Sequence, residues 1–199
     1  MKDIAVIYHS TTGTTEQLAR AVTAGANAVN QVRATAYPIK GSDIEEGRFV
    51  NTAMLDAVSR AQGVIMGSPT FMGGVSAQFK AFADASSPLW SERAWVDKIA
   101  AGFTIGGNLN GDQMSSIQYI QTLANQHGML WASLDVRGGE QSHVVNRLGA
   151  QGGLIAHTTD STVHSDDLGA ARYLGERVAR LVAQDIVWHQ QDECSRLAS

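Results

Sequence analysis

A regular alternation of strand-length apolar runs with helical segments constrains the fold of this chain more than any other feature. Three runs, residues 4–8, 63–67 and 99–104, are apolar without alternation, as is typical of parallel strands that are covered on both faces. Two further runs, residues 32–37 and 129–134, bring the number of predicted strands to five.

Apolar side chains recur three or four residues apart between these runs, which is the spacing of a helix with one buried face. Such stripes occupy residues 18–29, 75–83, 117–124 and 168–182. Parallel strands need crossover connections, which are usually helices. The pattern therefore predicts an α/β fold with a doubly wound, five-stranded parallel sheet and helices on both faces.

The chain has 199 residues, which is the size of one α/β domain. We assign residues 1–189 to that domain and residues 190–199 to a polar C-terminal tail. Residues 39–50 are expected to be a polar connection. A long irregular segment, residues 136–166, contains one short candidate strand at residues 154–157. Irregular segments of that length are often functional or disordered.

Composition excludes several classes of protein. Hydrophobic residues make up 44% and charged residues 17%, which excludes a disordered chain. The net charge of −4 argues against a nucleic-acid partner. No apolar run approaches the roughly 20 residues that span a bilayer, and strand-like sequence begins within three residues of Met1, so we expect neither membrane insertion nor a signal peptide. The single cysteine, Cys194, favours a reducing, cytoplasmic location.

A hydroxyl-rich segment follows the first predicted strand and leads into the first helix. Its residues are Ser10, Thr11, Thr12, Gly13, Thr14 and Thr15. Ligands of open α/β sheets bind beyond the carboxyl ends of the strands, and a helix N-terminus favours anions. We interpret the segment as a phosphate site. The alternative is helix capping, with Thr14 and Gln17 as a capping box, but capping uses only one or two hydroxyls.

Other known phosphate loops are excluded by the same stretch. It contains neither the G-x-x-x-x-G-K-[ST] sequence of a P-loop nor the G-x-G-x-x-G sequence of a Rossmann dinucleotide site. It also contains no cysteine, which excludes a phosphatase that uses a cysteine nucleophile.

Two more loops follow predicted strands and complete a candidate site. After residues 63–67 come Pro69, Thr70, Phe71, Met72 and Gly73, whose composition fits the approach of a flat aromatic ligand better than an ordinary loop with a buried Phe. After residues 99–104 come Ile105, Gly106, Gly107, Asn108, Leu109 and Asn110, which offer hydrogen bonds to a heterocycle edge; the alternative is a flexible turn, and Asp112 is also expected to cap the next helix. Together the three loops predict a site for a phosphorylated flat heterocycle.

These motifs resemble a known family. Residues 10–15 fit the S/T-x-T-G-x-T phosphate loop of flavodoxins, which bind FMN. Residues 67–78 resemble the G-x-P-T-R-F-G-N-M-S-x-Q segment of the WrbA-like NAD(P)H:quinone oxidoreductases. The similarity covers nearly the whole chain, and its further parts are Leu89-Trp90, Lys98, Phe103, His127-Gly128-Met129 and residues 171–176.

The resemblance implies a flavodoxin-like fold and an FMN-dependent enzyme that takes a hydride from NADH or NADPH and reduces quinones by two electrons. It implies that residues 10–15 hold the phosphate and that residues 69–73 and 105–110 surround the ring. The family is typically tetrameric, with flavin sites completed at subunit contacts, so a homo-oligomer, either dimer or tetramer, is expected.

The same resemblance suggests residues for catalysis and substrate binding. By motif position His127 and Gln126 are the catalytic candidates, and Trp90 and Phe71 are the candidates for substrate contacts. The sequence departs from the family at two of these positions. Gln126 stands where family members often have the first histidine of His-His-Gly-Met, and Phe71 stands where they have arginine. Capping of a helix end is the alternative role of His127, and burial in the core is the alternative for Trp90.

Two other functions remain open at this point. One is a one-electron carrier flavodoxin, and the other is a non-catalytic FMN-binding regulatory module. The modest net charge and the presence of one acid, Asp112, in the three loops favour the two-electron enzyme over the carrier. No metal site is expected, since the spacing of His143, His157 and His164 matches no metal-binding pattern.

Overall fold

A computed structural model of the chain describes residues 1–138 and 145–184. Its helices and strands alternate along most of the sequence, as the sequence predicts. In chain order they are β1 (Lys2–Tyr8), α1 (Thr14–Asn27), β2 (Val32–Pro38), a 3₁₀ turn (Gly41–Asp43), β3 (Ile44–Glu45), β4 (Arg48–Phe49), α2 (Thr52–Arg60), β5 (Gly63–Phe71), β6 (Gly74–Val75), α3 (Ala77–Ala85), α4 (Ser87–Ser91), β7 (Ile99–Gly106), α5 (Gln113–Gln126), β8 (Leu130–Trp131), β9 (Leu154–His157) and α6 (Ser165–Ala183).

The main sheet has the parallel strand order β2-β1-β5-β7, with β8 and β9 both paired to the outer side of β7. This order is that of a flavodoxin-like doubly wound sheet, which confirms the predicted fold class. The strand that follows β1 in the sequence, β2, pairs with one side of β1, and the later strands β5 and β7 extend the sheet on the other side. The carboxyl ends of β1 and β5 therefore flank the switch point, where ligands of such sheets bind.

The fifth strand differs from the prediction, because it is split in two. Only Leu130–Trp131 of the predicted run 129–134 forms a strand, and it pairs with the start of β7. The outer edge of the second half of β7 is covered by β9, which pairs with residues 103–106. The chain thus leaves the sheet after β8 and returns at the short strand expected at residues 154–157. The indole N–H of Trp131 donates to the carbonyl of Gly152 at 2.7 Å and joins the two halves.

The segment between β2 and β5 is more ordered than a polar connection. Its first part contains the 3₁₀ turn and the β3–β4 hairpin, and its second part is the helix α2, which the sequence analysis did not predict. The side chain of Asn51 caps α2 by accepting a hydrogen bond from the N–H of Met54 at 3.1 Å. Met54 and Val58 are buried four residues apart. A capping residue followed by apolar residues four positions apart is a sequence signal for a helix, and it could have predicted α2.

Two hydrophobic cores lie on opposite faces of the sheet. One packs α1 and α6 against β1, β5 and β7, and the other packs α2, α3 and α5 against the second face. None of the described helices is long and apolar enough to cross a membrane. The predicted tail at residues 190–199, including Cys194, lies outside the described residues, as does His143.

Candidate cofactor-binding site

An open pocket of about 290 Å³ lies at the carboxyl ends of β1, β5, β7 and β9. It is lined by residues from the segments that follow all four strands. They are Thr11, Thr12, Thr14, Pro69, Thr70, Phe71, Ile105, Gly106, Gly107, Thr158, Thr159, Asp160 and Ser161. Nine of these residues belong to the three loops that the sequence analysis selected. The fold therefore brings those loops together at one place.

The first loop does not use its threonines to cap α1. The helix begins at Thr14 after Gly13, which has φ +86°, and no side chain at the cap position bonds the helix. Instead, the Ser10 hydroxyl accepts hydrogen bonds from the N–H groups of Gly13 at 3.1 Å and Glu16 at 3.3 Å. The alternative interpretation of the segment, a capping box at Thr14 and Gln17, is therefore not observed in this helix. Capping by Ser10 leaves the threonine hydroxyls available for a ligand.

Three of the threonine hydroxyls lie at the start of α1. The hydroxyls of Thr12 and Thr14 lie 3.2 Å apart beside the start of α1. The hydroxyl of Thr15 is buried and has no hydrogen-bond partner in the described part of the chain. A buried polar atom without a partner costs about 1–3 kcal/mol. Hydroxyl donors at a helix N-terminus are a suitable environment for a phosphate, and such a ligand would satisfy the Thr15 hydroxyl.

The second loop is a tight hairpin that joins β5 to β6. Thr70 pairs with Val75 and Phe71 with Gly74, which leaves two turn residues between the strands. These are Met72 at φ +47° and Gly73 at φ +77°, the backbone of a type I′ turn. The turn places Met72 fully exposed at the tip and leaves Phe71 about half exposed, at 48%.

Thr70 anchors this hairpin rather than pointing only into the pocket. Its hydroxyl lies 2.8 Å from the hydroxyl of Thr104 and 2.8 Å from that of Ser116. The Thr104 hydroxyl also donates to the carbonyl of Ser68 at 2.7 Å. Thr104 and Ser116 are fully buried. This network ties the end of β5 to β7 and α5, and no periodic pattern in the sequence predicts it because its members come from three elements that are far apart along the chain.

The third loop is held by Gln113, a residue that the sequence analysis missed. The Gln113 side chain is buried; its amide nitrogen donates to the carbonyl of Asn108, and its amide oxygen accepts from the N–H of Gly111 at 2.9 Å. Any side chain at Gly106 would collide with it, since a Cβ there would lie 2.6 Å from the Gln113 amide nitrogen. The predicted cap at Asp112 is wrong: its φ is +61° and its side chain makes no capping bond.

Only part of this loop reaches the pocket. Ile105, Gly106 and Gly107 line it, whereas Asn108, Leu109 and Asn110 form the turn beyond, where the Leu109 side chain is 65% exposed. Similarly, Met72 and Gly73 form the tip of the hairpin, and Ser10, Gly13 and Thr15 of the first loop are not among the residues that line the pocket.

A fourth wall, residues 158–161, was not predicted as part of the site. It follows β9, the strand that the insertion returns to the sheet. The N–H of Thr158 donates to the carbonyl of Gly106 at 3.1 Å, and the side-chain amide of Gln17 donates to the carbonyl of Ser161 at 3.0 Å. These bonds fix the wall between β7 and α1. The wall adds a second acidic residue, Asp160, to a site whose other three loops contain one, Asp112. The sequence analysis favoured two-electron chemistry because acidic residues were few, and Asp160 weakens that argument.

Another residue missed from the sequence is His9, which lies between β1 and the threonine loop. Its backbone N–H donates to the carbonyl of Gly67 at 3.1 Å, and its ring is buried, with Nδ1 unpartnered among the described residues. Burial lowers the pKa of His9. A neutral imidazole therefore stands behind the loop.

The structure does not bring Gln126, His127 and Trp90 to this pocket. They line a second pocket of about 340 Å³, together with Arg93, Val96 and their neighbours. Helix α5 begins beside the first pocket and ends at Gln126, about 20 Å away at 1.5 Å per residue. The N–H of Asp97, just before β7, donates to the carbonyl of Gly128 at 3.0 Å. The second pocket therefore lies at the opposite edge of the sheet.

His127 is buried rather than exposed to a substrate. Its Nε2 lies 2.8 Å from the Ser86 hydroxyl, its ring lies 4.2 Å from the ring of Trp95, and Nδ1 has no partner among the described residues. Burial lowers the pKa of His127 to about 4. Within one chain, the prediction that His127 and Gln126 act on the bound cofactor fails, because sequence motifs carry no information about which sheet edge a helix end reaches. Trp90 is 51% exposed, so it is not a core residue.

Across residues 1–138 and 145–184, no group of three His, Cys, Asp or Glu side chains is arranged to hold a metal ion. His164 has a different role, since its Nδ1 accepts a hydrogen bond from the N–H of Asp166 at 3.2 Å and caps α6. Buried Asp167 pairs with Arg147 at 2.6 Å and accepts from the N–H of His157 at 3.2 Å. These acidic and histidine side chains thus have structural partners.

The chain is similar to known proteins along most of its length. Residues 3–136 match the family described as NADPH-dependent FMN reductase. The chain is 35% identical over 192 residues to Flavodoxin FldP of Pseudomonas aeruginosa (strain UCBPP-PA14), covering 92% of this chain and 98% of that protein. It is 36% identical to the crystal structure of a WrbA-like flavodoxin from Agrobacterium tumefaciens, with a TM-score of 0.72 and coverage of 92% and 98%.

A third similarity concerns the fold alone. The apo form of an NADH:FMN oxidoreductase, EMOB, is 15% identical, with a TM-score of 0.69, and the match covers 94% of this chain and 92% of that one. The pocket at the switch point, its threonine loop and these matches lead to one assignment: the chain belongs to the flavodoxin-like, FMN-binding NADPH-dependent FMN reductase family of oxidoreductases.

Proposed function

We propose that this protein binds FMN in the switch-point pocket and uses it to transfer two electrons from NADH or NADPH to a quinone. The observation that carries the proposal is the meeting of a threonine loop, an exposed apolar hairpin and a glycine-rich loop around one open pocket. The threonine loop at one end of the pocket suits the phosphate of FMN, and the apolar hairpin and glycine-rich loop at the other end suit its flat ring. FMN supplies the redox chemistry by accepting a hydride and passing the electrons on.

The residues of the threonine loop fit the phosphate end. Thr12 and Thr14 line the site, and the next residue along the chain, Thr15, has a buried hydroxyl without a partner among the described residues. No lysine or arginine is among the described residues that line the pocket. A dianion is therefore held by hydroxyl donors and by the positive end of α1 rather than by an opposite charge.

The residues of the other loops fit the ring end. Pro69, Phe71 and Ile105 supply apolar surface, and the hydroxyl network at Thr70 holds the hairpin in place. The backbone N–H groups of the loop after β7, which Gln113 braces, are suited to stabilise negative charge at the polar edge of a reduced ring. Phe71 and the exposed Met72 leave an apolar shelf beside the pocket, where a nicotinamide or a quinone stacks by turns.

A second copy of the chain is part of this proposal. Trp90, Gln126 and His127 lie at the opposite edge of the sheet, so they can reach a bound FMN only from another subunit. We therefore expect a dimer or tetramer in which the second pocket faces the first pocket of a neighbour. Sedimentation at micromolar concentration tests this expectation. A monomer with full quinone reductase activity would refute it.

A one-electron carrier is the second candidate function. Two observations favour it: the 35% identical relative is named a flavodoxin, and Asp160 adds a negative charge to the pocket. A carboxylate near the cofactor opposes full reduction, which would place further negative charge there.

One assay separates these functions. The purified protein is reconstituted with FMN, and NADH or NADPH oxidation is followed with benzoquinone as acceptor under anaerobic conditions. The enzyme should turn over many times per bound FMN. Bound FMN that NAD(P)H does not reduce, but that a reductase protein reduces by one electron, would support the carrier. Stoichiometric FMN with neither reaction would support a regulatory module.

A further inference from the structure

The main sheet ends on one side with β2, whose outer edge pairs with no other strand of the described chain. An edge strand offers its outward backbone N–H and C=O groups to a strand of another molecule. Along a parallel strand, alternate residues direct these groups to opposite sides. The N–H of Lys2 donates to the carbonyl of Gln31 at 2.8 Å, so the odd-numbered residues face β1. The outward residues of β2 are therefore Val32, Ala34, Ala36 and Pro38.

Most of the outward N–H groups are already bonded or absent. The side-chain amide of Asn27, the last residue of α1, makes two hydrogen bonds to Ala34. Its oxygen accepts from the N–H of Ala34 at 2.8 Å, and its nitrogen donates to the carbonyl of Ala34 at 3.1 Å. The N–H of Val32 donates to the carbonyl of Val29 at 3.4 Å, and Pro38 has no N–H. The Asn27 amide thus takes the place of a neighbouring strand at the middle of the edge.

One outward donor is left along this edge. Within the described part of the chain, the N–H of Ala36 has no partner, whereas those of Val32 and Ala34 are bonded. An incoming strand would find carbonyl acceptors but a single donor. One hydrogen bond does not offset the freedom that two chains lose when they associate. The edge is therefore closed to strand pairing, and its closure depends on the two bonds from Asn27.

We propose that Asn27 keeps the edge of β2 from pairing with the same edge of a second copy of this chain, so that copies of the protein associate only through other surfaces. A second copy is the partner that fits an opened edge, because two β2 strands related by a two-fold axis present the same groups to each other in antiparallel order. The inference does not depend on a cofactor, since Asn27 ends a helix of 14 residues that starts at the threonine loop, about 20 Å away.

The opened edge has a defined way of pairing. In an antiparallel pair, two facing residues can exchange two hydrogen bonds. With Thr35 of both copies on the two-fold axis, Ala34 of each copy exchanges bonds with Ala36 of the other, which makes four bonds in total. The two Thr35 side chains then lie opposite each other, and such Thr–Thr pairs are favourable. In the original protein Asn27 occupies Ala34, so both exchanges are blocked.

Two substitutions open the edge. Asn27→Ala removes both bonds, and Asn27→Ser, whose single hydroxyl cannot make both, serves as the second variant if the alanine chain does not fold. Asn30→Ala is the matched control, because Asn30 is exposed in the turn that follows α1 and its side chain makes no hydrogen bond to a described residue. Ala36→Pro, added to Asn27→Ala, is the rescue, since it deletes the remaining outward N–H without removing a bond to β1.

Particle mass is measured by sedimentation over a range of micromolar concentrations, with circular dichroism to verify folding and FMN titration to verify the site. Each pair of opened edges joins two particles, so the mass of Asn27→Ala should be at least about twice that of the original protein at the same concentration. Asn30→Ala and the rescued chain should keep the original mass. FMN affinity should be the same in all of these proteins.

Three results would overturn the inference. A folded Asn27→Ala or Asn27→Ser protein with the original mass means that something other than Asn27 closes the edge. A larger particle that Ala36→Pro does not reverse means that the copies associate through another surface. Failure of both opening variants to fold means that the fold, and not the edge, requires Asn27. None of these results bears on FMN binding by the original protein, so the proposed function is tested separately by its own assay.

Discussion

The hydroxyls of Thr12 and Thr14 lie 3.2 Å apart at the start of α1, while Ser10, and neither threonine, caps that helix. Because Ser10 caps the helix, Thr12 and Thr14 can be replaced without removing the cap of α1. A hydrogen bond to a charged group contributes about 1.5–3 kcal/mol. We therefore expect Thr12→Val and Thr14→Val each to weaken FMN binding about 10- to 100-fold.

The measurement is the FMN dissociation constant beside that of riboflavin, which lacks the phosphate and should bind almost unchanged. Thr122→Val, an exposed threonine on α5 outside the pocket, is the control. If both threonine variants bound FMN as tightly as the control does, the assignment of the phosphate to this loop would be wrong.

Thr15→Val should change the stability of the apoprotein and its FMN affinity in opposite directions. Its hydroxyl is buried without a partner among the described residues, so replacing it with a methyl group removes an unsatisfied polar atom. We expect the unfolding free energy of the apoprotein to rise by about 1 kcal/mol. If FMN binds as proposed, its affinity should fall, because the hydroxyl proposed to donate to the phosphate is gone. Urea unfolding and FMN titration test the two signs, and a variant that binds FMN normally would show that the hydroxyl has no ligand.

Helices α1 and α6 cross so closely that each presents a glycine to the other's backbone. A Cβ at Gly25 would lie 1.9 Å from the carbonyl oxygen of Arg172, and one at Gly175 would lie 1.9 Å from that of Val22. Each glycine-to-alanine change should therefore destabilise the protein by about 2–3 kcal/mol, despite the higher helix propensity of alanine.

Gly169→Ala is the control for these variants. Gly169 also lies in α6, but nothing stands within 4 Å of the position of its Cβ. That substitution should stabilise the protein by about 0.5–1 kcal/mol. Chemical denaturation measures all three, and a Gly25→Ala variant as stable as Gly169→Ala would mean that the helices separate without cost.

His127 should make stability depend on pH. Burial lowers its pKa from 6.5 in the unfolded chain to about 4 in the folded one. The unfolded state therefore binds more protons between those values, and stability should rise with pH from about 4 to 6.5 and be fully present above it. His127→Gln should flatten the dependence of the melting temperature on pH in this window. The slope will not vanish, because burial also lowers the pKa of His9. An identical slope in the variant would mean that His127 titrates normally.

The sequence predicted most of the sheet because its three central strands, β1, β5 and β7, contain uninterrupted apolar runs. It predicted the threonine loop, the hairpin and the loop after β7 because the carboxyl ends of parallel strands must meet at one edge. It failed at α2, whose stripe is short, and at the fifth strand, where an insertion divides one strand into β8 and β9. Apolar periodicity reports which residues are buried, but it does not report which part of a neighbouring strand they pair with.

The local sequence by itself determined the alternating elements and the hydroxyl-rich turn after β1, since both depend on residues that are close along the chain. Tertiary structure decided the rest of the site. Only the pairing of β9 with β7 brings Asp160 to the pocket, and only the length of α5 places His127 at the opposite edge, because these relations join residues that are far apart in sequence. Such distances depend on the packing of whole elements rather than on any local motif.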